Sequence, residues 1–283
     1  MDVTAPAKLN LSLDILRRRE DGYHDLKMVM HSVDLTDDLV LERTAGKGIH
    51  VRTDLSFLPD DERNLAAAAA RRFAEATGAD VEGLSITIRK RIPVCAGMAG
   101  GSSDAAAVLR ALNRELAAPL SAVELARVGE RVGSDVPYCV LGGTALAEGR
   151  GEILTPLPAL PECWFVLCKP GFPISTPELF SRVNCAKLRC RPNTDGILRA
   201  LEKGDLEGVA RRMYNVFEDV LPDRRAGEIA AIRSALIGHG ALGAVMSGSG
   251  PTVFGIFRGE ADARRAWADL KADYRQTFLT KSV

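Results

Sequence analysis

Ile92-Pro93-Val94-Cys95-Ala96-Gly97-Met98-Ala99-Gly100-Gly101-Ser102-Ser103-Asp104 is the stretch on which the reading of this chain turns. The run Leu84 to Arg91 before it is strand-like, and Ala105-Ala106-Ala107-Val108-Leu109 after it is helix-forming. Glycine, alanine and serine therefore crowd the mouth of a helix. A backbone without bulky side chains can turn its N–H groups inward, and a helix start adds unpaired N–H groups and about half a positive charge. That combination binds anions, phosphate above all. Read in isolation, the same residues also make a glycine-rich turn ending in a Ser/Asp helix cap.

Upstream, Leu9, Leu11, Leu13 and Ile15 alternate with Lys8, Asn10, Ser12 and Asp14, the period of a half-buried strand, so Lys8 and Asn10 share a face. Glu20-Asp21-Gly22 turns the chain into strand-like runs at 26–35, 38–43 and 48–53. Asn64 to Thr77 is an Ala-rich helix stopped by Gly78. Ser121-Ala122-Val123-Glu124 is a capping box that opens a helix to about Val132. Gly133-Ser134-Asp135-Val136-Pro137 breaks it, and short strands are expected over 138–155. Pro156, Pro158 and Pro161 mark a linker, so the expected domains are 1–157 and 158–283. Beyond it come a strand at Trp164 to Cys168, a helix from Thr176-Pro177-Glu178, and helices near 194–203, 205–214 and 223–238. A strand pair at 241–247 and 252–258, joined by Gly248-Ser249-Gly250-Pro251, precedes a last helix and strand. The pattern is α+β.

Composition removes several function classes. The 283 residues carry 37 Lys plus Arg against 37 Asp plus Glu, so no global field recruits nucleic acid or an anionic membrane. Nothing approaches the ~20 apolar residues of a membrane span, and the strand pattern at the N-terminus speaks for a cytoplasmic protein without a signal peptide. The cysteines at 95, 139, 163, 168, 185 and 190 form no C-x-x-C pair, and the four histidines are scattered, so no metal site is expected from either. There is no G-x-x-x-x-G-K-[ST] and no G-x-G-x-x-G, so the phosphate loop belongs to neither common class.

Three segments in order carry a resemblance. Pro6-Ala7-Lys8-Leu9-Asn10-Leu11, then Pro93 through Gly97-Met98-Ala99-Gly100-Gly101-Ser102-Ser103, then Ser247-Gly248-Ser249-Gly250-Pro251-Thr252-Val253-Phe254 resemble the three motifs of the GHMP kinase superfamily. The likeness covers residues 4 to about 257. Cys95 stands where alanine or glycine is common, and Met98 replaces the usual leucine. Gly22-Tyr23-His24 and Gly133-Ser134-Asp135-Val136-Pro137 resemble the branch whose acceptor alcohol bears a cytidylyl group.

The resemblance implies a two-domain α+β kinase with its ATP and substrate site in the cleft between the domains. It implies that Pro93 and the Gly97 to Ser103 backbone wrap ATP phosphates, and that Ser102 or Ser103 assists phosphate or Mg2+. Asp104 falls near the nucleotide, where it equally complements the helix dipole. Asn64 matches an adenine-pocket position, and a helix cap explains it as well. Lys8 and Asp135 are the implied catalytic pair: Asp135 takes the alcohol proton, and Lys8 stabilises the transferring group. Asn10 points at the same acceptor, Tyr23 and Phe180 flank a cytosine ring, and His24 addresses its edge. A helix phenylalanine is also a core residue, so Phe180 stays open between the two readings. Gly248 and Ser249 form a substrate-side wall, although glycine between two strands needs no ligand to explain it. The implied partner is a small cytidylyl substrate, the protein being a monomer or weak homodimer. A kinase of the superfamily acting on mevalonate, homoserine or a sugar, and a non-catalytic nucleotide binder, are the alternatives. The aromatic platform opposes the first, and the intact Lys8 and Asp135 oppose the second.

Overall fold

The computed structural model describes residues 1–117, 119–188 and 190–283. In chain order the elements begin with β1 (Asp2–Arg18), β2 (His24–Arg43), β3 (Ile49–Thr53), α1 (Leu65–Thr77), β4 (Leu84–Arg89), α2 (Gly100–Arg114), α3 (Ala122–Glu130) and α4 (Val136–Leu141). They continue with β5 (Thr144–Gly149), β6 (Ile153–Pro156), β7 (Trp164–Lys169), α5 (Thr176–Arg182), α6 (Thr194–Glu202), α7 (Leu206–Ala210) and β8 (Tyr214–Asn215). A 3-10 turn (Val216–Val220), α8 (Asp223–Gly238), β9 (Gly243–Met246), β10 (Val253–Phe257), α9 (Glu260–Asp273) and β11 (Gln276–Lys281) complete the chain. Among the described residues, no helix is long and apolar enough to cross a membrane.

Two compact units gather these elements, and neither is one continuous piece of chain. The first holds Met1–Ala7, Leu35–Val94 and Ala99–Gly142; the second holds Lys8–Asp34, Cys95–Met98 and Gly143–Val283. β1 and β2 each contribute residues to both.

In the first unit β3 and β4 run parallel, so α1 must carry the chain back between them. β4 pairs antiparallel with Asp38–Arg43 of β2. Phe73 of α1, Ile86 of β4 and Leu109 of α2 are fully buried and form the core. The helix ends are set locally, as expected. Asn64 Oδ1 accepts from the Ala66 N–H, Gly78 closes α1 at φ 71°, and Ser121 and Glu124 cap α3 reciprocally. Two expectations are corrected. Residues 24–43 form one strand rather than two, and 136–141 is helical where a strand was expected. A short apolar run such as Tyr138-Cys139-Val140-Leu141 has no period to tell strand from helix, and Pro137 in its first turn favours the helix.

In the second unit β5 pairs antiparallel with Leu26–His31 of β2 and with β6, and β8 pairs parallel with Ser12 and Leu13 of β1. A separate antiparallel sheet has the order β11-β7-β10-β9, with α8 packed on β9 and β10 and α9 on β7 and β11. The helix expected from Thr176 is capped one residue earlier, by Ser175. β1 corrects a further expectation. Its alternation predicted one wet face, yet Lys8 (4% exposed), Asn10 (0%) and Ser12 (0%) are buried as deeply as Leu9 and Leu11. Polar groups withdrawn from water need partners, and those of Lys8 and Asn10 lead to the site.

Candidate active site

Three segments far apart in sequence meet within the second unit. Lys8 Nζ donates to Asn10 Oδ1 at 2.6 Å, and the Lys8 N–H donates to the Met98 carbonyl at 3.2 Å. Ser247 Oγ accepts from the Asn10 N–H at 3.2 Å and donates to the Gly97 carbonyl at 2.9 Å. One hydroxyl thus ties β1, the tip of the glycine loop and the β9–β10 connection together. Gly97 lies at φ 73°, and a Cβ added there would fall onto the Ser247 carbonyl oxygen and 2.9 Å from the Gly250 nitrogen. At Gly248 (φ 57°) a Cβ would stand 3.0 Å from the Gly97 carbonyl oxygen and 3.3 Å from Asn10 Oδ1. Both glycines are required by a close approach as well as by backbone conformation. Asn215 braces the same connection by donating to the Met246 and Gly248 carbonyls, each at 2.7 Å. Ser249 shares a 2.7 Å hydrogen bond with Thr176, which links the connection to the start of α5.

The glycine loop is held in an uncommon conformation. Cys95 (φ 51°) and Ala99 (φ 55°) are left-handed without being glycine, a costly arrangement that clusters at functional sites. Ala99 occupies the cap position of α2 and supplies no capping side chain, so the N–H groups of the first turn keep their capacity for an anion. In the first unit Ser103 is fully buried and donates through Oγ to the Pro6 carbonyl at 2.6 Å. Ser102 is the half-buried serine of the pair.

Asp104 is buried and faces an ion partner. Lys90 Nζ lies 2.5 Å from Asp104 Oδ2 and 2.5 Å from Asp37 Oδ2. Burial pushes the Asp104 carboxyl up to about 7 against the pull of the Lys90 ammonium. Burial also works against the Lys90 charge, and the Asp104 and Asp37 carboxylates more than offset it, so its pKa is raised. Asn64 uses both ends of its amide on its own loop, since Nδ2 donates to the Pro59 carbonyl at 2.8 Å while Oδ1 caps α1. Asp135 stands at the cap position of α4 without capping it through its side chain. Pro93 and Met98 are buried beneath the loop.

The aromatic residues pair within the second unit. Tyr23 is 56% exposed at the turn after Gly22, with the Arg150 guanidinium 5.2 Å from its ring centroid. The His24 ring stacks on Phe180 at 4.9 Å and 22°, and Phe180 meets Phe217 edge-on at 4.9 Å. Burial and Arg18 lower the His24 pKa. One ring face of Phe180 is therefore taken by His24.

Sequence reading did not single out Asp37, Lys90, Arg150, Asn215 or Ser247 as individual site residues. Asp37-Asp38 and Lys90-Arg91 look like ordinary surface charge at strand ends, and nothing in their spacing pairs them. Arg150 lies between Gly149 and Gly151, far in sequence from Tyr23.

Residues 64–143 match the model for the GHMP kinases N terminal domain, and residues 197–276 match that for the GHMP kinases C terminal. A 4-diphosphocytidyl-2-C-methyl-D-erythritol kinase of Alkaliphilus metalliredigens (strain QYMF) is 45% identical over 276 residues, 98% of this chain and 94% of the relative. The crystal structure of a 4-(cytidine 5'-diphospho)-2C-methyl-D-erythritol kinase is 36% identical, covers 100% of both chains and superposes with a TM-score of 0.84. A homoserine kinase structure from Cytophaga hutchinsonii, 20% identical with a TM-score of 0.77 over 100% of this chain and 94% of that one, shares the fold.

Proposed function

The chain belongs to the GHMP kinase family, and from that premise we propose that it transfers the γ-phosphoryl group of ATP to the 2-hydroxyl of 4-diphosphocytidyl-2-C-methyl-D-erythritol. The reaction lies in the non-mevalonate (methylerythritol phosphate) route to isoprenoid precursors. The observation that carries the proposal is the junction at Gly97, where the glycine loop meets the buried Lys8–Asn10 strand and the Ser247–Gly250 connection with no room for a side chain. Hydrogen bonds from Lys8 to Asn10, from Asn10 to Ser247 and from Ser247 to Gly97 run through that junction.

Phosphoryl transfer requires little covalent help from the protein and much positioning and charge stabilisation. Gly100, Gly101 and Ser102 present first-turn N–H groups to the ATP phosphates, and Met98 and Ala99 shape the approach. Asp135 accepts the proton of the attacking hydroxyl. Lys8, held by Asn10, stabilises the charge that develops on the transferring group. Magnesium, when bound, neutralises phosphate charge. Ser102 is the residue that would hold it, because its hydroxyl is a hard oxygen ligand while Ser103 is enclosed and committed to Pro6. Tyr23 offers its exposed face to the cytosine and His24 addresses the base edge. Phe180 supports His24 from behind, and Asn64 shapes the wall of the adenine pocket through its loop.

ATP consumption by the purified protein tests this directly. Turnover with the cytidylyl alcohol and none with mevalonate, homoserine or galactose is expected. Preference for any of those three would replace the substrate assignment.

A further inference from the structure

Lys90 leaves the end of β4 immediately before the glycine loop, and Asp104 follows the loop in the opening turns of α2. Their 2.5 Å ion pair joins the two ends of the segment that contains the loop. Asp37 of β2 is the third member. Its Oδ2 takes the Lys90 ammonium at 2.5 Å, and its Oδ1 accepts the backbone N–H groups of Arg91 at 2.5 Å and Ile92 at 2.8 Å. All three side chains are at most 5% exposed. We propose that Asp37, Lys90 and Asp104 are a clasp that sets the geometry of the phosphate loop, making Lys90 a positioning residue for ATP.

Three observations and one general physical argument support the clasp. First, the loop inside it contains three left-handed positions at alternate residues, Cys95, Gly97 and Ala99. Such strain persists only where the surroundings over-determine it, and an ion pair across the loop's ends does that. Second, the ammonium reaches its partners past the first residue of α2. A Cβ added to Gly100 would lie 3.4 Å from Lys90 Nζ and 3.1 Å from Ile92 Cγ2. A side chain at position 100 would therefore crowd Ile92 and stand in contact with the Lys90 ammonium. Third, Asp104 Oδ1 is buried with no hydrogen-bond partner, and the carboxylate makes its ion pair to Lys90 through Oδ2. Fourth, a buried ion cluster contributes little net stability compared with apolar residues of similar volume, and its best-attested use is to hold one arrangement against others. Here that arrangement aims the first-turn N–H groups of α2.

The inference rests on reading the loop as the ATP phosphate site. It differs from that reading in placing Asp104 behind the loop, engaged with Lys90, and not on the nucleotide. Lys90→Met removes the ammonium at similar length. It should raise the KM and Kd for ATP about tenfold or more while the KM for the cytidylyl alcohol moves less than about threefold, because a misaimed loop loses positioning at one substrate. Asp104→Asn keeps a carbonyl for Lys90 to donate to but loses the charge, so it should weaken ATP binding less than Asp104→Ala, which should reproduce the full ATP defect. If Lys90→Met does not fold, the double variant Lys90→Met/Asp104→Asn removes one of the stranded carboxylates and should carry the same ATP defect. Normal ATP affinity in a folded Lys90 variant, or equal loss for both substrates, overturns the clasp. Equal damage from Asp104→Asn and Asp104→Ala also overturns it, since that marks a carboxylate acting on the nucleotide. ATP binding is measured by calorimetry without acceptor, so a parent that binds ATP yet turns over no cytidylyl alcohol would sink the substrate assignment and leave the clasp standing.

Discussion

Ser247 Oγ donates a 2.9 Å hydrogen bond to the Gly97 carbonyl, across 150 residues of chain. Gly97 is the point where the loop can tolerate nothing larger. A Gly97→Ala chain must move the Ser247 carbonyl and hold alanine at φ 73°. The strain should cost about 1–3 kcal/mol and lower the melting temperature by several degrees. Gly101→Ala is the control, because its Cβ would meet only Leu65 Cδ1 at 3.4 Å. Equal melting temperatures for the two variants would show that the junction is looser than its geometry implies.

Asp135→Asn keeps the side-chain volume and removes the proton acceptor. The kcat should fall by ~10²–10⁴ with ATP binding nearly unchanged. More than a tenth of the parent turnover would exclude Asp135 as the base.

Tyr23→Ala separates a base platform from a packing residue. The ring is 56% exposed, so its loss should barely change stability. Loss of stacking should weaken binding of the cytidylyl substrate by roughly 1–3 kcal/mol, about fivefold to beyond a hundredfold in KM. Tyr23→Phe should be mild, since stacking uses the ring face. A comparable rise in the KM for ATP would count against the base platform.

His31 makes stability depend on pH. It is fully buried, donates or accepts at Nδ1 with Thr144 Oγ1 at 2.9 Å, and stacks on Phe165 at 5.9 Å. Burial pushes its pKa down to about 4 from an ordinary 6.5. The unfolded chain therefore binds the proton first, and this group's contribution is complete above pH 6.5 and lost as pH falls towards 4. The full effect is on the order of 3 kcal/mol. Urea titrations from pH 7 to 4.5 should show a steeper loss for the parent than for His31→Gln. Parallel curves would place the acid sensitivity elsewhere.

What sequence alone determined is whatever depends on neighbours a few residues apart. The Ser121–Glu124 capping box, the Asn64 and Gly78 ends of α1 and the opening of α2 at the glycine loop are all local hydrogen-bond problems with local solutions. The three ordered motifs that carry Lys8, the glycine loop and Gly248-Ser249 were legible for the same reason: each is a short segment whose residue types are constrained together. Tertiary structure alone decided the rest. Whether Tyr138 to Leu141 is strand or helix, whether the polar face of β1 meets water, and whether Phe180 faces His24 are settled by what lies opposite, not by what lies adjacent. The Asp37–Lys90–Asp104 cluster is the clearest case. An ion pair of 2.5 Å depends on three chain segments arriving at one buried place, and Coulomb attraction there is strong because water is gone. Charge at a strand end reads the same in a sequence whether it will be solvated or enclosed, so no spacing could have announced it.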